Sequence, residues 1–182
     1  MRTNSKTEDE AILSLVDEAI QKAEKEFKPK TLYRIFDCNI NEDVIEIQGY
    51  TFNSKRLAEN LSGCKRVVVF GATLGTECDR MINLSVLENL SMGIALQAAA
   101  AQMIEEVCDN LEEEIKREYG VSLTQRFSPG YFDLDITEQK KVFELLELTK
   151  RIGITLTDTF EMLPAKSVTA FIGIEEILTP SP

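Results

Sequence analysis

Arg126-Phe127-Ser128-Pro129-Gly130-Tyr131, continuing through Phe132-Asp133-Leu134-Asp135 to Thr137-Glu138-Gln139, separates two helical patterns. Its chemistry is that of a ligand loop. Pro129 fixes one backbone dihedral and pushes Ser128 towards an extended conformation, while Gly130 lets a chain or ligand approach the backbone closely. Arg126 carries a planar guanidinium fork that suits a carboxylate. Thr137, or Asp135 with Glu138 three residues on, caps the helix that follows. The same residues also suit an ordinary helix-to-helix connection, with Arg126 solvated or paired to a nearby acid.

Outward from this loop the hydrophobic pattern alternates between helix and strand. Ala11, Ile12, Leu15, Val16, Ala19, Ile20, Ala23 and Phe27 recur at helical spacing and predict a helix over about residues 8–27, ended near Pro29. Leu32–Phe36 and Val44–Ile47, flanking the turn-like Asn39–Asp43, predict a hairpin. Ser54 caps a short helix through Leu61, and Lys65–Phe70 reads as a buried strand running into Gly71-Ala72-Thr73-Leu74-Gly75. That glycine-containing turn lacks the spacing and the lysine of a phosphate loop. A helix follows from Thr76 to Leu84.

One long helix, or two nearly continuous ones, is predicted from about Glu88 to Tyr119, with Ile94, Ala98, Ala101, Ile104, Val107, Cys108, Leu111, Ile115 and Tyr119 near one stripe. Glu112, Glu113 and Glu114 read as a solvated face, whereas Glu105 and Glu106 lie beside the stripe, where either could face a pocket. Beyond the Arg126 loop, Val142 to Leu148 predicts one more helix and Ser167–Ile174 a last strand. The order of elements favours an α+β fold, a small mixed or antiparallel sheet surrounded by helices. Residues 1–182 are expected to form one domain, with 1–29 as an N-terminal helical extension and 176–182 as a frayed tail.

Composition narrows the chemistry. A net charge of −11 disfavours unaided binding to nucleic acid or to an anionic membrane face, and suits either solubility or a docking face for a basic partner. With no membrane-spanning run and no signal-peptide core, a cytoplasmic protein is expected. Cys38, Cys64, Cys78 and Cys108 are widely spaced and read as buried free thiols, with no metal site. The sequence contains no histidine, which excludes Ser-His and Cys-His pairs, a histidine general base and histidine metal ligands within these 182 residues.

The Arg126 to Gln139 segment, Leu145-Leu146-Glu147-Leu148, and Leu156-Thr157-Asp158-Thr159-Phe160 through Pro164-Ala165-Lys166-Ser167-Val168 together resemble the reactivation domain of cobalamin-dependent methionine synthase. The resemblance is strongest over the last third of the chain. It implies a free-standing form of a domain that binds S-adenosylmethionine and acts on cobalamin in its oxidised, inactive state, so that reduction and methyl transfer restore methylcobalamin. Cobalamin would be met only through the partner protein, a methionine synthase or another corrinoid protein, with electrons from an external reductant such as a flavodoxin. The resemblance further implies that Arg126 grips the methionyl carboxylate, that Ser128 and Gly130 present backbone groups to the adenosine part, and that Tyr131 lines the reaction site. Glu105 would face the nucleoside. No residue is expected to act as a catalytic acid or base. The alternative is a non-enzymatic module that docks on a corrinoid protein without binding S-adenosylmethionine. In either case the Arg126 loop is expected across a sheet edge, against the long helix, with Glu105 in a shared groove.

Overall fold

Val67-Val68-Val69-Phe70 is apolar without alternation because both faces of its strand are covered. The computed structural model describes residues 3–175, with side chains from residue 10. The strand is β4 (Arg66–Thr73), central in a six-stranded sheet of order β3-β2-β1-β4-β8-β5. Here β1 is Lys30–Asn41, β2 Val44–Ile47, β3 Tyr50–Asn53, β5 Ser122–Leu123 and β8 Ser167–Glu175. Every pairing is antiparallel, so the fold is α+β with an antiparallel sheet.

The pleat of β4 and β8 sends alternate side chains to two cores. Val68, Phe70, Ala72, Ala170, Ile172 and Ile174 pack beneath α1 (Thr3–Glu26), α3 (Thr76–Glu88) and α4 (Leu90–Tyr119). Val67, Val69 and Phe171 face α2 (Lys55–Asn60), α5 (Gln139–Leu146) and α6 (Leu148–Ile152). Each fully buried Leu, Ile or Phe in these layers contributes roughly 1.5–3 kcal/mol. No helix among the described residues is long and apolar enough to cross a membrane.

The expected elements are present with changed limits. Gly71, Ala72 and Thr73 continue β4 instead of turning, because β8 and β1 pair with them as far as Thr73. The helix from Thr76 runs on to Glu88, and Asn89 then caps α4, its side chain accepting from the Met92 N–H at 3.2 Å. The buried meridian of α4 is Met92, Leu96, Ala100, Ile104, Cys108, Leu111 and Ile115. Ile94, Ala98, Ala101 and Tyr119 of the predicted stripe are exposed instead. At Gly93 the chain of α3 comes so close that a Cβ would lie 2.5 Å from Val86 Cγ2, and this contact turns Ile94 outward. The single helix expected over 142–148 is broken at Glu147, whose φ of 54° starts α6 in a new direction. That break lays Leu148 onto Gly71, where a Cβ would stand 2.7 Å from its Cδ2.

Two hairpins were not anticipated. Gln48 and Gly49, both at positive φ, turn β2 into β3. Thr155–Leu156 (β6) pairs with Met162–Leu163 (β7) around a loop closed by the Thr157 hydroxyl, which accepts from the Glu161 N–H at 3.1 Å. All four cysteines are free, with Cys64, Cys78 and Cys108 buried and Cys38 only half-buried, and burial pushes the Cys108 thiol up to about 12 and the Cys78 thiol up to about 11. The frayed tail expected over 176–182 lies outside the described residues.

Candidate functional site

Past β5 the chain continues along the edge of β8. Thr124 N–H donates to the Gly173 carbonyl at 3.0 Å, and Phe127 and Phe171 exchange main-chain hydrogen bonds of 3.0 and 2.8 Å. Strand alternation then decides the site. Phe127 turns into the α5 core and is 7% exposed, so its neighbour Arg126 must turn the other way, towards α4. There it meets Glu105, Asp109 and Glu112, which the 3.6-residue period places on one helical face. Nη2 lies 3.1 Å from Glu105 Oε2 and 2.9 Å from Asp109 Oδ1, and Nε lies 3.2 Å from Glu112 Oε1. Nη1 is buried without a partner.

Glu112, expected on a solvated face, is only 17% exposed, because the Arg126 segment covers that turn of α4. Burial raises its pKa even though Arg126 pulls it down. Burial likewise opposes the charge on Arg126, but the facing acids, Glu112 foremost, outweigh it and the pKa is raised. One guanidinium against three carboxylates leaves this corner net negative.

The loop beyond Arg126 is held from the other side. Asp133 accepts from Ser54 Oγ at 2.6 Å, from Lys55 N–H at 2.8 Å and from Arg56 N–H at 3.3 Å, so one carboxylate fastens the loop to the first turn of α2. The Ser54 hydroxyl bond, with the two amides, lowers its pKa. A depressed carboxylate stabilises the fold at pH above its unfolded value, and the effect is lost as pH falls through the folded value. Asp133→Ala is therefore expected to lower the melting temperature at neutral pH and to speed amide exchange over 128–134, with the difference from the parent vanishing in acid. Unchanged exchange in that segment at neutral pH would remove Asp133 from its fastening role.

Gly130 at φ 90° makes the turn, its N–H donating to Leu134 O at 2.8 Å. The positive φ is what favours glycine here, and the nearest neighbour a Cβ would meet is the flexible end of Ile136, with Cδ1 at 2.9 Å. The Gly130 N–H is thus committed within the loop. Asp135, not Thr137, caps the next turn, accepting from the Thr137 N–H at 2.8 Å. Tyr131 and Phe132 are left 65% and 82% exposed at the lip.

These elements form a cleft of about 770 Å³ in which Glu105, Arg126, Ser128 and Tyr131 all share the lining, whereas Gly130, expected to present backbone groups to a ligand, is not among the lining residues. The β6–β7 hairpin forms the facing wall, and Gln139 and Thr169 lie on the floor. The groove expected between Glu105 and the Arg126 loop is present. Asp109, Glu112, Asp133, Gln139 and Thr169 were not singled out. The 105, 109, 112 spacing on α4 was the available signal for the first two, whereas the others depend on tertiary contacts. Among the described residues, no cluster of three or more His, Cys, Asp or Glu is arranged to hold a metal ion.

Residues 57–176 match the family described as vitamin B12 dependent methionine synthase, activation domain. The match covers well over half of the sequence, and the chain belongs to that family. A solved structure described as "Crystal Structure of the MetH Reactivation Domain bound to AdoHcy" superimposes with a TM-score of 0.73 at 20% identity, over 92% of this chain and 65% of that one. At that identity the likeness carries the fold alone, and this chain spans just under two thirds of that domain's length. Comparison with curated proteins finds no match.

Proposed function

We propose that this protein presents S-adenosylmethionine as methyl donor to the reduced cobalamin of a separate partner, a cytoplasmic methionine synthase or related corrinoid protein. The observation that carries the reading is the meeting of Arg126, Glu105 and Tyr131 in one cleft at the free edge of β8. The AdoHcy bound to the solved reactivation domain supports the same ligand class. The residues fit such a ligand in sign: the net-negative corner suits a cationic head, Arg126 suits its carboxylate, and the exposed Tyr131 ring suits a sulfonium.

When bound, the donor supplies an electrophilic methyl group and the partner's cofactor supplies the nucleophile, with electrons from an external reductant such as a flavodoxin. This chain's part is to hold and orient the donor and exclude water. The lack of histidine in these 182 residues, which leaves no imidazole ligand for cobalt, supports a cofactor carried by the partner. Mixing the protein, S-adenosylmethionine, a reductant and the oxidised synthase should restore the methylcobalamin spectrum faster than the same mixture without the protein. Equal recovery in both mixtures would defeat the proposal.

One observation favours a second reading. In this structure the paired donors of Arg126 already go to acids of α4 and Nη1 is buried, so Arg126 also works as a clamp between loop and helix. A module that docks on a corrinoid protein without S-adenosylmethionine needs only that clamp. Calorimetry with S-adenosylmethionine separates the two, since the second reading requires no heat of binding.

A further inference from the structure

The polar group on the cleft floor has no part in the α4 corner. Gln139 is 3% exposed, yet it lines the cleft. Its Oε1 accepts from the Thr169 hydroxyl, which is itself 1% exposed, and this bond fixes the amide orientation. Among the described residues no hydrogen bond uses its Nε2, which is not sealed from solvent and opens to the cleft. An amide held in one orientation at the cleft surface can exchange water for a ligand acceptor, a hydrogen bond worth about 0.5–1.5 kcal/mol.

The sheet edge adds to it. Phe171 turns both its main-chain groups to the outer edge of β8, where Phe127 takes them. Two residues back, Thr169 turns its N–H and C=O the same way, beyond the reach of β5 and of the Phe127 bridge. Gln139 and Thr169 therefore offer two kinds of donor and one acceptor side by side. The surrounding walls, Phe127, Pro129, Ile136, Phe160 and Met162, are apolar. Such a pocket accepts a flat, neutral ring whose rim carries acceptors and a donor.

We propose that the Gln139 amide, oriented by Thr169, is a specificity-determining contact that reads the rim of a purine base. Its Nε2 donates to a ring nitrogen, and the Thr169 main chain meets the neighbouring positions of the same rim. Thr169 and Phe171 stand two strand residues apart, roughly 7 Å, so the base and the charged head beside Arg126 are separated by the length of a ribose linker. The assignment deepens the S-adenosylmethionine reading and rests on it.

The probes are S-adenosylhomocysteine, its 1-, 3- and 7-deaza analogues, each lacking one ring acceptor, and free adenosine. Gln139→Leu is expected to bind S-adenosylhomocysteine about tenfold more weakly than the parent. One deaza analogue should show a similar loss with the parent and no additional loss with Gln139→Leu. A Gln139→Leu protein that melts with the parent and binds S-adenosylhomocysteine equally well overturns the proposal. As a readout free of any variant's folding, adenosine should move the side-chain amide resonances of Gln139 in the parent, and no movement at saturation likewise overturns it. Movement with adenosine but no binding of either S-adenosyl compound would support the base subsite while sinking the proposed function, so the two failures are distinct.

Discussion

Arg126→Ala is expected to lose S-adenosylmethionine affinity and fold stability together. A charge-assisted, two-pronged contact to the ligand carboxylate is worth on the order of 1.5–3 kcal/mol, which corresponds to roughly 10- to 150-fold in affinity. Arg126→Lys should recover part of this, because a point charge lacks the fork. The stability loss comes from α4. Without the guanidinium, Glu105, Asp109 and Glu112 face one another with only the more distant Lys116 as counter-charge, and only Glu112 is well covered. Exposure of the first two limits the cost to about 1–3 kcal/mol.

The pH dependence identifies the acid responsible. Burial already raises the Glu112 pKa, and losing Arg126 raises it further. A carboxyl group raised in the folded state binds more protons there than in the unfolded chain, so stability falls as pH rises through the window between the two values. The deficit of Arg126→Ala should therefore shrink on acidification through the range just above ordinary carboxylate values, and Glu112→Gln in that background should recover stability at neutral pH. Full affinity for S-adenosylmethionine in Arg126→Ala would remove Arg126 from the ligand site. An undiminished melting temperature would remove it from the clamp.

This double duty explains how far the sequence could be read. The loop announced itself through Pro129, Gly130 and Arg126, residues whose backbone and charge properties are local. The presence of the helices was legible for the same reason, although the buried face of α4 lies a step round from the expected stripe. The partners of Arg126 were harder, because Glu112 looks like its neighbours Glu113 and Glu114 until a segment lies over its turn of α4. Asp133 was passed over because its contacts, Ser54, Lys55 and Arg56, lie nearly eighty residues away. Gln139 reads as a polar residue opening an amphipathic helix, and only the docking of α5 against β8 buries it beside Thr169. The break at Glu147 was hidden for a related reason: its positive φ serves the fit of Leu148 over Gly71, a contact between distant segments.

Phe171 is where fold and site depend on one side chain. It is fully buried and meets the Phe52 ring edge-on at a centroid distance of 4.9 Å, while its main chain holds Phe127 and thereby sets the direction of Arg126. Phe171→Ala removes a large ring between a sheet and helices that cannot fully close the gap, at an expected cost of about 3–5 kcal/mol. For a chain of this size that lowers the melting temperature by about 10 °C. Phe171→Leu, which keeps most of the volume, should cost much less. The cavity opens under Phe127, so the Phe127 amide is expected to exchange faster in Phe171→Ala than amides in the α1–α4 layer, and Arg126 should lose alignment with Glu112. A denaturation midpoint in Phe171→Ala close to that of Phe171→Leu would mean that the site edge of β8 is supported elsewhere, by the β4 ladder alone.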